Sequence, residues 1–192
     1  MAPKKEIFFS VDIEASGPIP GEYSMLTLGA CVTDQMDQTF EMAIRPVSMK
    51  VDEEALTVTG LSMEKLLSEG IDPYVAMQSL ERWVRTCAGE GAPVFVGLNA
   101  AFDWSFVNYY FHKYLGANPF GFAALDIKSM YMGHANVSWA ETKASHIAKH
   151  LGAQKSNTHN ALQDALFQAE LFNLIRDNVN RYHAAAKITR KD

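Results

Sequence analysis

Residues 7–13 form an almost unbroken apolar, β-prone run, the pattern of a strand buried on both faces. Two further strand patterns follow at 25–33 and 39–45, joined by the polar stretch TDQMDQ. So short a connection implies antiparallel pairing. Residues 73–88 carry apolar positions at helical spacing, with Pro73 at the start and Gly89 just past the end. A short buried strand is expected at 93–97, a helix over 102–115 and another short strand at 124–127. Helices over about 141–151 and 161–178 complete the pattern. Three antiparallel strands followed by β-α-β elements predict an α/β domain, with a mixed five-stranded sheet flanked by helices. Without repeats or long linkers, residues 1–192 read as one domain with its core at 7–178. The ends, 1–5 and 183–192, are expected to be flexible.

Polar residues that break these apolar runs carry the chemistry. Asp12 and Glu14 close the first strand, and period-two alternation points both side chains to the same face. A solvated strand end would accommodate such a pair. On an otherwise apolar strand, though, like charges need water, cations or a metal. Asp103 falls in the first turn of the helix at 102–115, where an acid also complements the helix dipole. If the strand at 93–97 runs parallel beside the first, Asp103 emerges at the same carboxyl edge, where open α/β sheets bind ligands.

His159 and Asp164 are five residues apart, about 500° around a helix, so one continuous helix cannot present both on one face. Asn160 is a good N-cap, with Gln163 three residues on, so the helix begins after His159. The histidine then sits on an approach loop while Asp164 faces inward. Ala161, Ala165, Leu166 and Ala169 keep that helix slim enough to pack closely on the sheet.

Composition sets limits on the rest. At 192 residues and 48% hydrophobic, the chain is long enough for a full core. No stretch approaches the roughly 20 apolar residues of a membrane span. MAPKKE is a polar lead without the apolar stretch of a signal peptide, so no membrane association and a cytoplasmic location are expected. Cys31 and Cys87, each within an apolar segment, fit free thiols in a reducing compartment better than a disulfide or a zinc site. The net charge of −5 argues against sequence-independent duplex binding, which relies on many Lys and Arg contacts to phosphate. Lys143, Lys149 and Lys155, with His146 and His150, read as the solvated side of a helix whose apolar stripe is Ala144, Ile147 and Leu151.

VDIEASG, NAAFD and HNALQDA, in that order, resemble the three motifs of the DEDDh group of 3′–5′ exonucleases, the proofreading-like and oligoribonuclease-like branch of the ribonuclease H-like superfamily. Each motif is weak alone; their order, spacing and the His-x4-Asp signature together are specific, and the resemblance covers about 7–175. It implies a ribonuclease H-like sheet and a metal-dependent hydrolase acting on phosphodiester bonds. By matching position, Asp12, Glu14, Asp103 and Asp164 would hold two divalent cations, Mg²⁺ or Mn²⁺, with Asp12 touching both. Such ions prefer hard oxygen ligands, and a pair of them can clamp the attacking and leaving oxygens of a displacement. His159 would be the general base, a role suited to an imidazole with an ordinary pKa of about 6.5.

The same resemblance implies a single-stranded DNA or RNA 3′ end as partner and nucleoside monophosphates as product. It places substrate contacts at Ala15 and Ser16, at Gly60 and Leu61 in the TG-containing segment TVTGLSMEKL, and at Asn99 and Phe102. Homodimers occur in this family, and the aromatic helix at 102–115 is the expected interface. Ser16 stands where many relatives carry threonine, and GPIPGEYSM is a longer, proline-richer connection than usual, similar to that of a bacterial subgroup. Both leave the natural substrate open. A catalytically silent nucleic-acid-binding module is the alternative class. It is disfavoured because all five polar residues are present, and a proofreading subunit because no separate polymerase-binding tail is apparent.

Overall fold

The first apolar run becomes β1 (Glu6–Ala15), followed by β2 (Met25–Val32), β3 (Gln35–Ala43), α1 (Glu53–Thr59), α2 (Met63–Glu69) and α3 (Pro73–Ala88). Then come β4 (Ala92–Gly97), α4 (Ala101–Leu115), β5 (Ala124–Asp126), α5 (Ile127–Ala135), a 3-10 turn (Trp139–Thr142), α6 (Ala144–Leu151) and α7 (Ala161–Ile188). This computed structural model describes residues 3–188, with side chains described through residue 179. The sheet order is β3-β2-β1-β4-β5. β1 pairs antiparallel with β2, and β2 with β3, while β4 runs parallel to both β1 and β5. This is the expected ribonuclease H-like α/β arrangement.

The alternation of β1 assigns its two faces. Phe9, Val11 and Ile13 pack with Met77, Leu80 and Val84 of α3 and Phe106 and Tyr110 of α4. Phe8 turns the other way and meets Phe172 of α7, ring centroids 5.1 Å apart. Period two therefore sends Ser10, Asp12 and Glu14 toward α7. Pairing between β1 and β4 ends at Ser10 and Val96, so the second half of β1 leaves its β4-side edge open for other groups.

Gly29 seats α7 on that face. It stands opposite Asp12 in the β1–β2 register, and a Cβ there would lie 2.2 Å from the backbone of Ala161 and Leu162. Only a residue without a side chain lets the start of α7 come this close. The slim positions Ala161, Ala165 and Ala169 complete the contact, all of them buried. Gly29→Val is expected to lift the start of α7 from the sheet, destabilising the fold by about 1–3 kcal/mol through overpacking. Thermal unfolding measures that loss; an unchanged Tm with unchanged activity contradicts the close seating.

Several boundaries differ from expectation. β3 starts at Gln35 and not at 39, because the reversal needs only Thr33 and Asp34. The single helix expected over 141–151 is two pieces, broken at Lys143, whose backbone is extended with ψ 140°. A reciprocal Ser138–Glu141 capping box starts the first piece. α7 runs beyond 178 to Ile188, so residues 183–188 of the anticipated loose end continue the helix; 189–192, like residues 1–2, lie outside the described residues. Of the aromatic residues of α4, Phe106, Tyr110 and Phe111 are completely buried in the core, whereas Phe102 is exposed and Trp104, Tyr109 and Tyr114 are partly exposed. Among the described residues, no helix is long and apolar enough to cross a membrane.

Candidate active site

Asp12 and Glu14 stand at the carboxyl end of β1. Between them, the Ile13 N–H donates to Asp103 Oδ1 at 3.0 Å. This bond uses the edge of β1 that β4 no longer covers, and it brings the first turn of α4 against the strand. Asp103 is only 5% exposed.

Asp164 arrives from the opposite side. The Asn160 side chain caps α7 by accepting from the Gln163 N–H at 3.0 Å, and the Asp164 N–H donates to the Asn160 carbonyl at 2.8 Å, so the helix does start after His159. Asp164 is 2% exposed and heavily solvated by protein groups. Thr158 donates its N–H at 2.7 Å and its hydroxyl at 3.1 Å to Oδ1, and the His159 N–H donates to Oδ2 at 2.9 Å. The Asn157 amide, oriented nitrogen-inward, donates at 3.2 and 2.8 Å to the two oxygens. These bonds curl the approach loop around the carboxylate and leave the His159 imidazole exposed, on a residue in the left-handed region at φ 58°. Ligand atoms of Glu14, His159 and Asp164 all lie within 4.8 Å of one another. Residues from three distant parts of the chain thus converge.

Electrostatically the cluster is frustrated. Burial, followed by the neighbouring charges of Asp103, Glu14 and Asp164, holds the Asp12 carboxyl well above its ordinary range. Burial, then the Asp164 charge, pushes Glu14 up to about 7. Asp103 also rises to about 7 because of burial, although the bond from Ile13 works against the shift. Hard oxygen donors that repel one another in a partly dry pocket fit divalent cations such as Mg²⁺ and Mn²⁺, whose charge relieves the repulsion.

A stability effect follows in metal-free protein. Between the ordinary carboxyl pKa near 4 and the folded value of about 7, the unfolded chain has released protons that Glu14 and Asp103 still hold. Folding stability therefore falls as pH rises through this window and levels off above it. In chelator, Tm is expected to be roughly 5–10 °C lower at pH 8 than at pH 5, with Mn²⁺ restoring it at the higher pH. A metal-free Tm that rises across the window contradicts the crowded carboxylates.

The expected substrate contacts separate into groups. Ala15 and Phe102 line a cleft of about 250 Å³ with Gly17, Pro18 and Glu54; Phe102 is 36% exposed. Leu61 lines a groove of about 380 Å³ that also contains Glu14, Thr27 and His159. Leu61 and Gly60 also share the adjoining groove of about 450 Å³ with Lys65. Asn99 is exposed at the turn into α4, with φ 65°, and lines neither the cleft nor these grooves. Ser16 corrects the expectation: it is fully buried, its hydroxyl donates to the Lys50 carbonyl at 2.9 Å and accepts from the Ser24 N–H at 2.9 Å. Its backbone is committed too, to Ser24 and Asp52, so it braces the wall of the cleft without lining it.

One site residue escaped the sequence reading. Gln168 is 4% exposed, and its Nε2 donates to Asp12 Oδ1 at 2.5 Å while its Oε1 accepts from the Leu98 N–H at 2.8 Å. It lies one helical turn after Asp164, so it projects from the same face of α7. That spacing was available as a signal, but a glutamine in a helix is ordinary without knowledge of the inward face.

Four carboxylates and an imidazole gathered at the carboxyl edge of a ribonuclease H-like sheet define the site of a DEDDh-type, metal-dependent exonuclease. The chain belongs to the RNase T family of exonucleases, which it matches over residues 9–172. It is 53% identical over 176 residues to the 3′-5′ DNA exonuclease Cap18 of Escherichia coli, covering 91% of this chain and 94% of that protein. Its fold matches the nuclease domain of 3′hExo, a DEDDh family member bound to rAMP, with TM-score 0.69 at 16% identity over 91% of this chain and 92% of the other. It also matches S. pombe Pop2p in its Mg²⁺- and Mn²⁺-bound form, with TM-score 0.65 at 17% identity over 88% and 82%. The chain covers 92% of the 3′hExo nuclease domain but only 41% of an exonuclease I structure of the same fold, which is a longer protein. The chain is a 3′–5′ exonuclease.

Proposed function

We propose that this exonuclease removes nucleotides one at a time from the 3′-OH end of single-stranded DNA, using two divalent cations, Mg²⁺ or Mn²⁺. The observation that carries the reading is the convergence of Glu14, His159 and Asp164 ligand atoms within 4.8 Å, with Asp12 near enough to Glu14, Asp103 and Asp164 to be repelled by all three. DNA is favoured over RNA by the 53% identity to a protein named for DNA. The two free cysteines support a reducing, cytoplasmic setting.

Asp12, Glu14, Asp103 and Asp164 would hold the ions, which when bound lower the cost of gathering negative charge at the phosphate and of ionising water. The remaining work falls to the chain. His159, exposed at the mouth and with no ring hydrogen bond among the described residues, accepts the proton of the attacking water. That water forms a bond to phosphorus as the bond from phosphorus to the O3′ of the shortened strand breaks; the O3′ takes up a proton from solvent to become the new 3′-hydroxyl, and a nucleoside 5′-monophosphate leaves. Leu61 and Phe102 bound the pockets on either side and would contact the last bases.

Matched deoxyribo- and ribo-oligomers of several lengths, each with a free or blocked 3′ end, test the proposal in Mg²⁺ or Mn²⁺. Mononucleotide release from free DNA 3′ ends is expected, with blocked ends resistant. Faster release from RNA overturns the choice of substrate; inertness on every oligomer overturns the activity.

A further inference from the structure

Gln168 is the one buried neutral side chain bonded directly to an acidic member of the pocket among the described residues, and its two ends reach different parts of the fold. Its Nε2 holds Asp12 Oδ1, at the end of β1. Its Oε1 holds the Leu98 N–H, at the end of β4, just before the turn through Asn99 into α4 and Asp103. Its own backbone is fixed on α7, one turn from Asp164. A single amide therefore connects the three segments that supply the carboxylates.

We propose that Gln168 is a positioning residue: it fixes the rotamer of Asp12 and the spacing between the β1 and β4 ends, so that the carboxylates stand ready for metal before it arrives. This rests on the metal-dependent reading of the site above. The chemistry of the amide suits the task. An N–H donor restrains one oxygen of Asp12 while adding no charge, so the carboxylate keeps its other oxygen and its full attraction for cations. A lysine in this place would neutralise Asp12 and compete with metal. A shorter asparagine would lose one of the two contacts. Oriented ligands bind metal without a rearrangement cost, and loss of such an outer contact typically costs about 10- to 100-fold in metal affinity or activity.

Two variants separate the two ends of the amide. Q168L removes both bonds, whereas Q168E keeps an acceptor for Leu98 but faces Asp12 with a second carboxylate. Each is titrated with Mn²⁺ and followed by thermal shift, which needs no nuclease activity, and kcat and KM for an oligonucleotide are measured at saturating metal. The half-saturating Mn²⁺ concentration is expected to rise about 10- to 100-fold in Q168L. In both variants kcat is expected to fall while KM stays within about twofold. If Q168L does not fold, Q168E alone decides: its metal-free Tm should fall, because a further carboxylate joins the crowded pocket, and at saturating metal its kcat should fall while KM holds. Wild-type half-saturation and kcat in the folded variants overturn the proposal. So does a drop in metal-free Tm with metal dependence untouched, which assigns Gln168 to packing only. A parent protein that shifts with Mn²⁺ but cleaves nothing defeats the nuclease reading while leaving the thermal arm on Gln168 readable.

Discussion

Asp12→Ala is expected to lose more than about 10³-fold in kcat and to abolish the rise of Tm with Mn²⁺. Removing one electrostatic stabiliser of a transition state costs about 10²–10³-fold, and Asp12 lies at the centre of the cluster. It is the residue repelled by Asp103, Glu14 and Asp164 together, so all three carboxylates lie within electrostatic reach of it. On the proposed reading, deleting it removes the carboxylate that two ions would share. The metal-free protein should respond in the opposite direction. With one of the crowded carboxylates gone, Tm in chelator at pH 8 should equal or exceed that of the parent, the loss of the Gln168 bond offsetting only part of the relief. A variant that keeps its Mn²⁺-induced stabilisation shows that the remaining carboxylates bind metal without Asp12, and the shared role fails.

The parts legible in the sequence are those where a local pattern and a long-range requirement agree. β1 and β4 read as buried strands because they are covered on both faces, and Asp12, Glu14 and Asp103 stood out against them. Asn160 marked the start of α7, which the capping bond confirms. The segment between β3 and α3 hid its two helices because each is only seven residues long, too short for an apolar period to register. Their signals were caps, Asp52 before α1 and Ser62 before α2, with Gly60 in the left-handed conformation between them. Ser16 shows the opposite limit. Its position within the motif VDIEASG implied contact with substrate, but two loop hydrogen bonds, to Lys50 and Ser24, consume its hydroxyl. No local pattern discloses partners that distant. Gly29 is similar: a glycine within a strand reads as a weak point until the helix that needs the space is known.

His159→Ala decides how the imidazole works. Its ring lies close enough to Glu14 and Asp164 to be either a third ligand to an ion or the acceptor of a proton from water held there. Two features favour the second role. Asp164 is held by the backbone N–H of His159 and by Thr158, so the acid is positioned by the loop and not by the ring. The ring itself is exposed, and its backbone adopts a conformation that non-glycine residues seldom take, as expected where a fixed loop aims a side chain at a mouth. His159→Ala should therefore lose about 10²–10⁴-fold in kcat, the usual contribution of a general base, while keeping the Mn²⁺-induced rise in Tm. The backbone bond to Asp164 survives the substitution, which is why metal binding should survive with it. If alanine abolishes the thermal response to metal as fully as it abolishes activity, His159 is a ligand and the proton must leave by another route.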